Sequence, residues 1–197
     1  MRMFSKPSAE DWLSRVTADF NGTRVSDIYV INFGAHFHDT PEGDEDFKRD
    51  ASALLDGMAR LGERATVIWR EMSPTHFPGE NGSYDGVVPS GVDPNCCSGT
   101  PPPLSERNVW VEKYLKDKKL SPRIKLLRTY RMSTFRGSAH RSCHIGPPTA
   151  PDGEPQAAGE MECLSWRHSS LDCRHWSETG VVEEWNKLML NHICPAA

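Results

Sequence analysis

Residues 26–73 read SDIYVINFGAHFHDTPEGDEDFKRDASALLDGMARLGERATVIWREMS, and a change of period inside this stretch decides the fold. Ser26 to Phe33 is a short apolar run of β-branched and aromatic residues closed by Gly34, the pattern of a buried strand. From Gly43 to Gly62 the apolar residues Phe47, Ala51, Leu54, Leu55 and Met58 recur at three- and four-residue steps. Acidic residues fill the first turn and Gly62 follows the end, so this segment reads as an amphipathic helix. Residues 65–73, ATVIWREMS, then supply a second buried strand. Strand, helix and strand in quick succession predict a right-handed parallel crossover.

Working outward, residues 78–103 are rich in turn formers and lack periodicity, so they read as a long loop, of the kind that is functional or cross-linked. Ser105 caps a helix with apolar positions Val109, Trp110, Tyr114 and Leu115 that runs to about Leu120. Pro122 ends it, and IKLLRTY, residues 124–130, gives a third strand. Residues 136–170 form a second irregular stretch. A last helix carries Val181, Val182, Trp185, Leu188, Met189 and Ile193 on one face. The expected architecture is a single α/β domain over 1–197, a small three-layer parallel sheet flanked by helices. In such sheets ligands bind outside the carboxyl ends of the strands, which directs attention to Asn32–Asp39, Ser73–Tyr84, Met132–His140 and the turn at Asp172.

The chain has 197 residues, enough for a sizeable core, with 25% charged and 37% hydrophobic residues and a net charge of -4. That balance argues against a nucleic-acid partner, because counterion release needs a concentrated basic surface. The basic cluster from Lys113 to Arg131 reads as a solvated helix face. No apolar run approaches the ~18 residues of a spanning helix, and MRMFSKPSAEDW lacks the apolar middle of a signal peptide. All six cysteines, Cys96, Cys97, Cys143, Cys163, Cys173 and Cys194, lie from residue 96 onward. They are disulfide staples in an oxidising compartment, with pairing open, or thiols and metal ligands in a reducing one. Asn21-Gly22-Thr23 and Asn81-Gly82-Ser83 satisfy the glycosylation sequon, which fits the first reading. His140, Cys143, His144, Cys163, His168, Cys173 and His175 crowd the last third, yet only His140-x-x-Cys143 has close zinc-ligand spacing, and no metal site is assigned.

Chemistry concentrates in Asp172-Cys173-Arg174-His175-Trp176. An Asp three residues before a His in a tight turn can bring the carboxylate to imidazole Nδ1 and leave Nε2 free to take a proton from a nucleophile, although an Asp and a His at this spacing are also common as an inert surface pair. His76, in the Ser73-Pro74-Thr75-His76-Phe77 turn after the second strand, reaches a site at the sheet edge or serves as a hydrogen-bonded structural histidine. Asn32 and Gly34, at the end of the first strand, are suitable donors for an oxyanion and equally suitable for a turn.

Three blocks in order carry a family resemblance: SDIYVINFGAHF, WREMSPTHFPGENGSYDG and DCRHWSETGVVEEWNKLMLNHI. Together they resemble the PC-esterase family, which includes the trichome-birefringence-like polysaccharide O-acetyltransferases. The resemblance implies an SGNH-hydrolase-like α/β/α fold and a Ser-His-Asp triad that moves acyl groups to or from sugar hydroxyls. On that reading Asp172 and His175 are catalytic, and Asn32, Gly34, Arg70, His76 and Trp176 are oxyanion or site-lining residues. The partners are a polysaccharide or glycan acceptor and an acyl donor, with no cofactor. The place of work is the secretory pathway, Golgi lumen or cell surface, any membrane anchor lying outside this chain. The family's Gly-Asp-Ser motif occurs nowhere in the sequence, and Ser5, Ser8 and Ser14 lack its flanking residues. The chain is therefore expected to be the carboxyl-terminal two-thirds of an esterase or O-acetyltransferase, truncated before the nucleophile, or else a non-catalytic glycan-binding relative. Ser177 and Thr179 stand where the family often has Cys and Pro.

Overall fold

A computed structural model describes residues 24–77, 80–82, 97, 99–140, 172–177 and 180–194. These fall into two compact units. One holds residues 24–72, 104–129 and 189–194; the other holds the described residues between 73 and 103, between 130 and 140, and from 172 to 188.

The first unit is built on three parallel strands, β1 (Ile28–Ile31), β2 (Thr66–Arg70) and β3 (Lys125–Leu127), in the order β1-β2-β3. Ile28 pairs with Thr66 and Ile31 with Trp69, while Ile68 pairs with Lys125 and Arg70 with Leu127. The crossover between β1 and β2 is helix α1 (Pro41–Leu61). It begins earlier than the apolar periodicity indicates. The Thr40 hydroxyl accepts from the Gly43 N–H, Pro41 occupies the first turn where its missing donor costs nothing, and Glu42 and Asp44 face the positive end of the helix dipole. Helix α2 (Glu106–Asp117) is capped by the Ser105 hydroxyl, which accepts from Asn108 N–H.

Strand alternation sorts β2 by face. Val67 and Trp69 enter the core with Phe47, Ala51, Leu54, Leu55, Met58 and Leu61 of α1 and Val111 and Leu115 of α2. Ile68, fully buried, points to the opposite side. β1 is shorter than the apolar run and is not buried throughout. Tyr29 and Ile31 pack on the core, whereas Ile28 and Val30 are each 43% exposed. Alternation along the strand puts Ile28 and Val30 on the face of β1 opposite Tyr29 and Ile31, away from the core. β3 is also shorter than IKLLRTY, because Tyr130 starts a short helix, α3 (Tyr130–Ser133). Arg123, Lys113 and Arg128, from the basic cluster, form exposed ion pairs with Glu63, Asp117 and Glu112, as a solvated face does.

Side-chain amides extend the order past the strand ends. Asn32 Nδ2 donates to the carbonyls of Arg70 and Glu71, both at 3.1 Å. Asn108 accepts from Met72 N–H and donates to Met72 O, both at 2.9 Å, reproducing a strand partner where β2 has ended. The loop after β1 is gathered by the buried Arg107. Its guanidinium donates to the carbonyls of Gly34, Phe37 and His38 and pairs with Asp44 at 2.8 Å. The last helix, α4 (Val181–Ile193), starts in the second unit and ends in the first. Among the described residues, no helix is long and apolar enough to cross a membrane.

Candidate active site

The second unit carries the Asp172–His175 turn. Asp172 Oδ1 accepts from the backbone N–H of His175 at 3.0 Å and of Arg174 at 3.3 Å. Both carboxylate oxygens lie 3.0 Å from His175 Nδ1. An ionised carboxylate only accepts, so Nδ1 carries the proton and Nε2 presents its lone pair. Burial pushes the Asp172 carboxyl up, but the N–H groups of His175 and Arg174 outweigh it and hold the group below its ordinary value. Asp172 therefore stays ionised and keeps its grip on the ring. The His175 side chain is 56% exposed.

What holds this turn is mostly invisible in local spacing. Cys173 is bonded to Cys97, 76 residues away in sequence, and its carbonyl accepts from His76 N–H at 3.1 Å. This settles one of the open pairings. Among the described residues no group of three or more His, Cys, Asp or Glu side chains could hold a metal, and Cys173 is committed to sulfur. Cys143, His144, Cys163 and His168 lie outside the described residues. Trp176 forms an antiparallel bridge with His140, and Ser177 N–H donates to Ala139 O. The Trp176 ring lies over His140 at 4.0 Å, meets His76 edge-on at 5.8 Å and packs edge-to-face on Trp185 at 5.7 Å. Trp185 in turn donates its indole N–H to Ser133 Oγ at 3.0 Å.

The second unit thus brings together four of the residues singled out by sequence, His76, Asp172, His175 and Trp176. His76 is 2% exposed, with Nε2 at 2.9 Å from Thr134 O and Nδ1 at 2.8 Å from His140 Nε2, the arrangement of a satisfied structural histidine. Trp176 is a buried buttress, 8% exposed. Asn32, Gly34 and Arg70 belong to the first unit. The Asn32 amide protons are directed to backbone carbonyls. Gly34 is required by its φ of 121° and by the closeness of Phe47 and of Met72 Sδ, which a Cβ would meet at 2.5 Å. Arg70, at the end of β2, is lowered by burial to about 10. Sequence reasoning missed the pairing of His140 with His76, the contact of Thr134 with His76, and those of Trp185 with Trp176 and Ser133. Their sequence separations from the residues they touch carry no periodic signal.

The family model for PC-Esterase, described as a GDSL/SGNH-like acyl-esterase family found in Pmr5 and Cas1p, matches residues 27–192. The chain is 28% identical over 161 residues to Protein trichome birefringence-like 25 of Arabidopsis thaliana, a match covering 73% of this chain and 32% of that protein. The chain thus spans about a third of the length of this curated relative. No solved structure matches. The matched span includes β1, α1 and β2 at one end and the Asp172–His175 turn at the other. A parallel α/β sheet, an Asp-oriented histidine and a family match over most of the sequence agree: the chain belongs to the PC-esterase family.

Proposed function

We propose that this chain supplies the His-Asp half of an acyl-transfer site that moves acetyl or related groups to or from polysaccharide hydroxyls in the secretory pathway. The observation that carries the reading is the paired contact of Asp172 with His175 Nδ1. With the tautomer so fixed, Nε2 takes the proton of a serine hydroxyl as that oxygen attacks the ester carbonyl, and the acyl group passes to serine. Nε2 returns the proton to the departing alcohol, then deprotonates water or a sugar hydroxyl that attacks the acyl-enzyme, and gives that proton to the serine oxygen as its bond to the acyl carbon breaks. Water gives hydrolysis and a sugar gives transfer. The serine is not assigned to a residue of this chain. The Cys97–Cys173 bond and the exposed Asn81 of an Asn-Gly-Ser sequon support a lumenal or cell-surface setting, such as the Golgi.

The test takes the full native protein that contains this chain and measures acetate release from an acetylated polysaccharide. Release is expected, with His175→Ala lowering kcat by about 10⁶-fold. Equal rates for the two proteins would remove the triad assignment. Tight glycan binding with no release in either would favour the non-catalytic glycan-binding relative.

A further inference from the structure

The imidazoles of His76 and His140 form a hydrogen-bond chain that two neutral rings cannot complete. It runs from Thr134 O to His76 Nε2 at 2.9 Å, from His76 Nδ1 to His140 Nε2 at 2.8 Å, and from His140 Nδ1 to His175 O at 3.1 Å. Both ends are carbonyls, which only accept, so each of the three contacts needs its own N–H. A neutral imidazole brings one. Two neutral rings therefore leave one contact with lone pair facing lone pair, and a third proton fills it.

A neutral pair fills the two shorter contacts when His76 donates to Thr134 and His140 Nε2 donates to His76. The lone pair of His140 Nδ1 is then turned to the carbonyl of the residue that carries the candidate base. We propose that His76 and His140 act as one positioning unit for the Asp172–His175 dyad, sharing a single added proton whose hydrogen bond to the His175 carbonyl fixes the loop.

The surroundings set when that proton binds. Both rings are buried, and burial is the largest influence, lowering His76 and taking His140 to about 4. On the loop, the His175 carbonyl and Asp172 favour the charged form of His140, while the rings of His76 and His175 oppose it. Arg131 and Arg136, on α3 and the turn after it, are exposed, and Arg174 is half-buried on the loop. The face of Trp176 offers a cation-π contact to the protonated His140 ring. The unit therefore takes its proton on the acid side of the ordinary histidine range, and the loop tightens as pH falls.

This inference rests on His175 being the base, but its test does not use activity. The chain, labelled with ¹⁵N-histidine, is titrated from neutral to acid pH by NMR while amide exchange of Ser177 is followed. The expected result is a joint transition of His76 and His140 with uptake of one proton, below the ordinary histidine range. Across it the Ser177 protection factor rises about tenfold, as one added hydrogen bond would give. In His140→Gln, whose amide donates at any pH, protection stays high throughout; in His140→Phe, which keeps the ring but no donor, it stays low. Independent titration of the two rings, unfolding before either binds a proton, or protection that ignores the transition would each overturn the proposal. The tautomer of His175, read in the same spectra, reports separately on the base assignment.

Discussion

Breaking the Cys97–Cys173 bond tests how the candidate site is held. The bond closes a loop of 76 residues, and the chain-entropy account assigns a closure of that length about 4 kcal/mol of stability at 25 °C. Cys173 is fully buried and lies between Asp172 and His175, so the constraint acts within the candidate site. In the double variant Cys97→Ser plus Cys173→Ser, the urea midpoint of the oxidised protein should fall by about 2 M, taking a slope of ~2 kcal/mol/M. The turn itself should survive, because Asp172 holds it through the N–H groups of Arg174 and His175 and through Nδ1, all within four residues. The Nδ1-protonated form of His175 should therefore persist below the new midpoint. A midpoint shift under about 0.5 M, with the bond verified in the parent by mass spectrometry, would refute the reasoning.

Acidification should destabilise the fold through its buried histidines. His140 is held to about 4 against an ordinary value of 6.5, so between these pH values the unfolded chain binds a proton that the folded chain does not. Stability then falls by up to about 3 kcal/mol as pH drops across that window, and a midpoint that is flat or rising there would contradict it. Arg107→Gln removes the fork that gathers Gly34, Phe37, His38 and Asp44 and should cost about 3 kcal/mol in urea unfolding. Arg107→Lys should recover less than half, since an ammonium cannot reproduce that geometry; full recovery would show that charge alone matters. Gly34→Ala places a methyl against Met72 Sδ and Phe47 at a φ of 121° and should cost about 2 kcal/mol, which a midpoint unchanged from the parent would disprove.

The crossover was legible because two periods alternate within residues 26–73, each set by burial on one side of a local element. The ends of the elements were not. α1 starts at Pro41 because of Thr40 and Pro41, which stand outside the apolar pattern. The run from Ser26 to Phe33 reads as buried on both faces, but hydropathy carries no record of whether a strand has neighbours on each side; Ile28 and Val30 lack that cover. Asp172 and His175 were legible because their partnership spans three residues, short enough for a turn to fix. His76 and His140 touch across 64 residues and Cys97 and Cys173 across 76, distances at which only the folded chain decides who meets whom. His140 therefore stood out in sequence as a zinc-ligand candidate, while the structure places it behind the turn, against Trp176 and the His175 carbonyl.

The account turns on one proton: that Asp172 fixes His175 with hydrogen on Nδ1 and a lone pair on Nε2. A two-bond ¹H–¹⁵N spectrum of histidine-labelled protein, at a mildly alkaline pH where an ordinary imidazole is neutral, reads this directly. The predicted result is a dominant Nδ1–H tautomer at His175 that is lost in Asp172→Ala. A dominant Nε2–H tautomer at His175, or one indifferent to Asp172, would contradict the account.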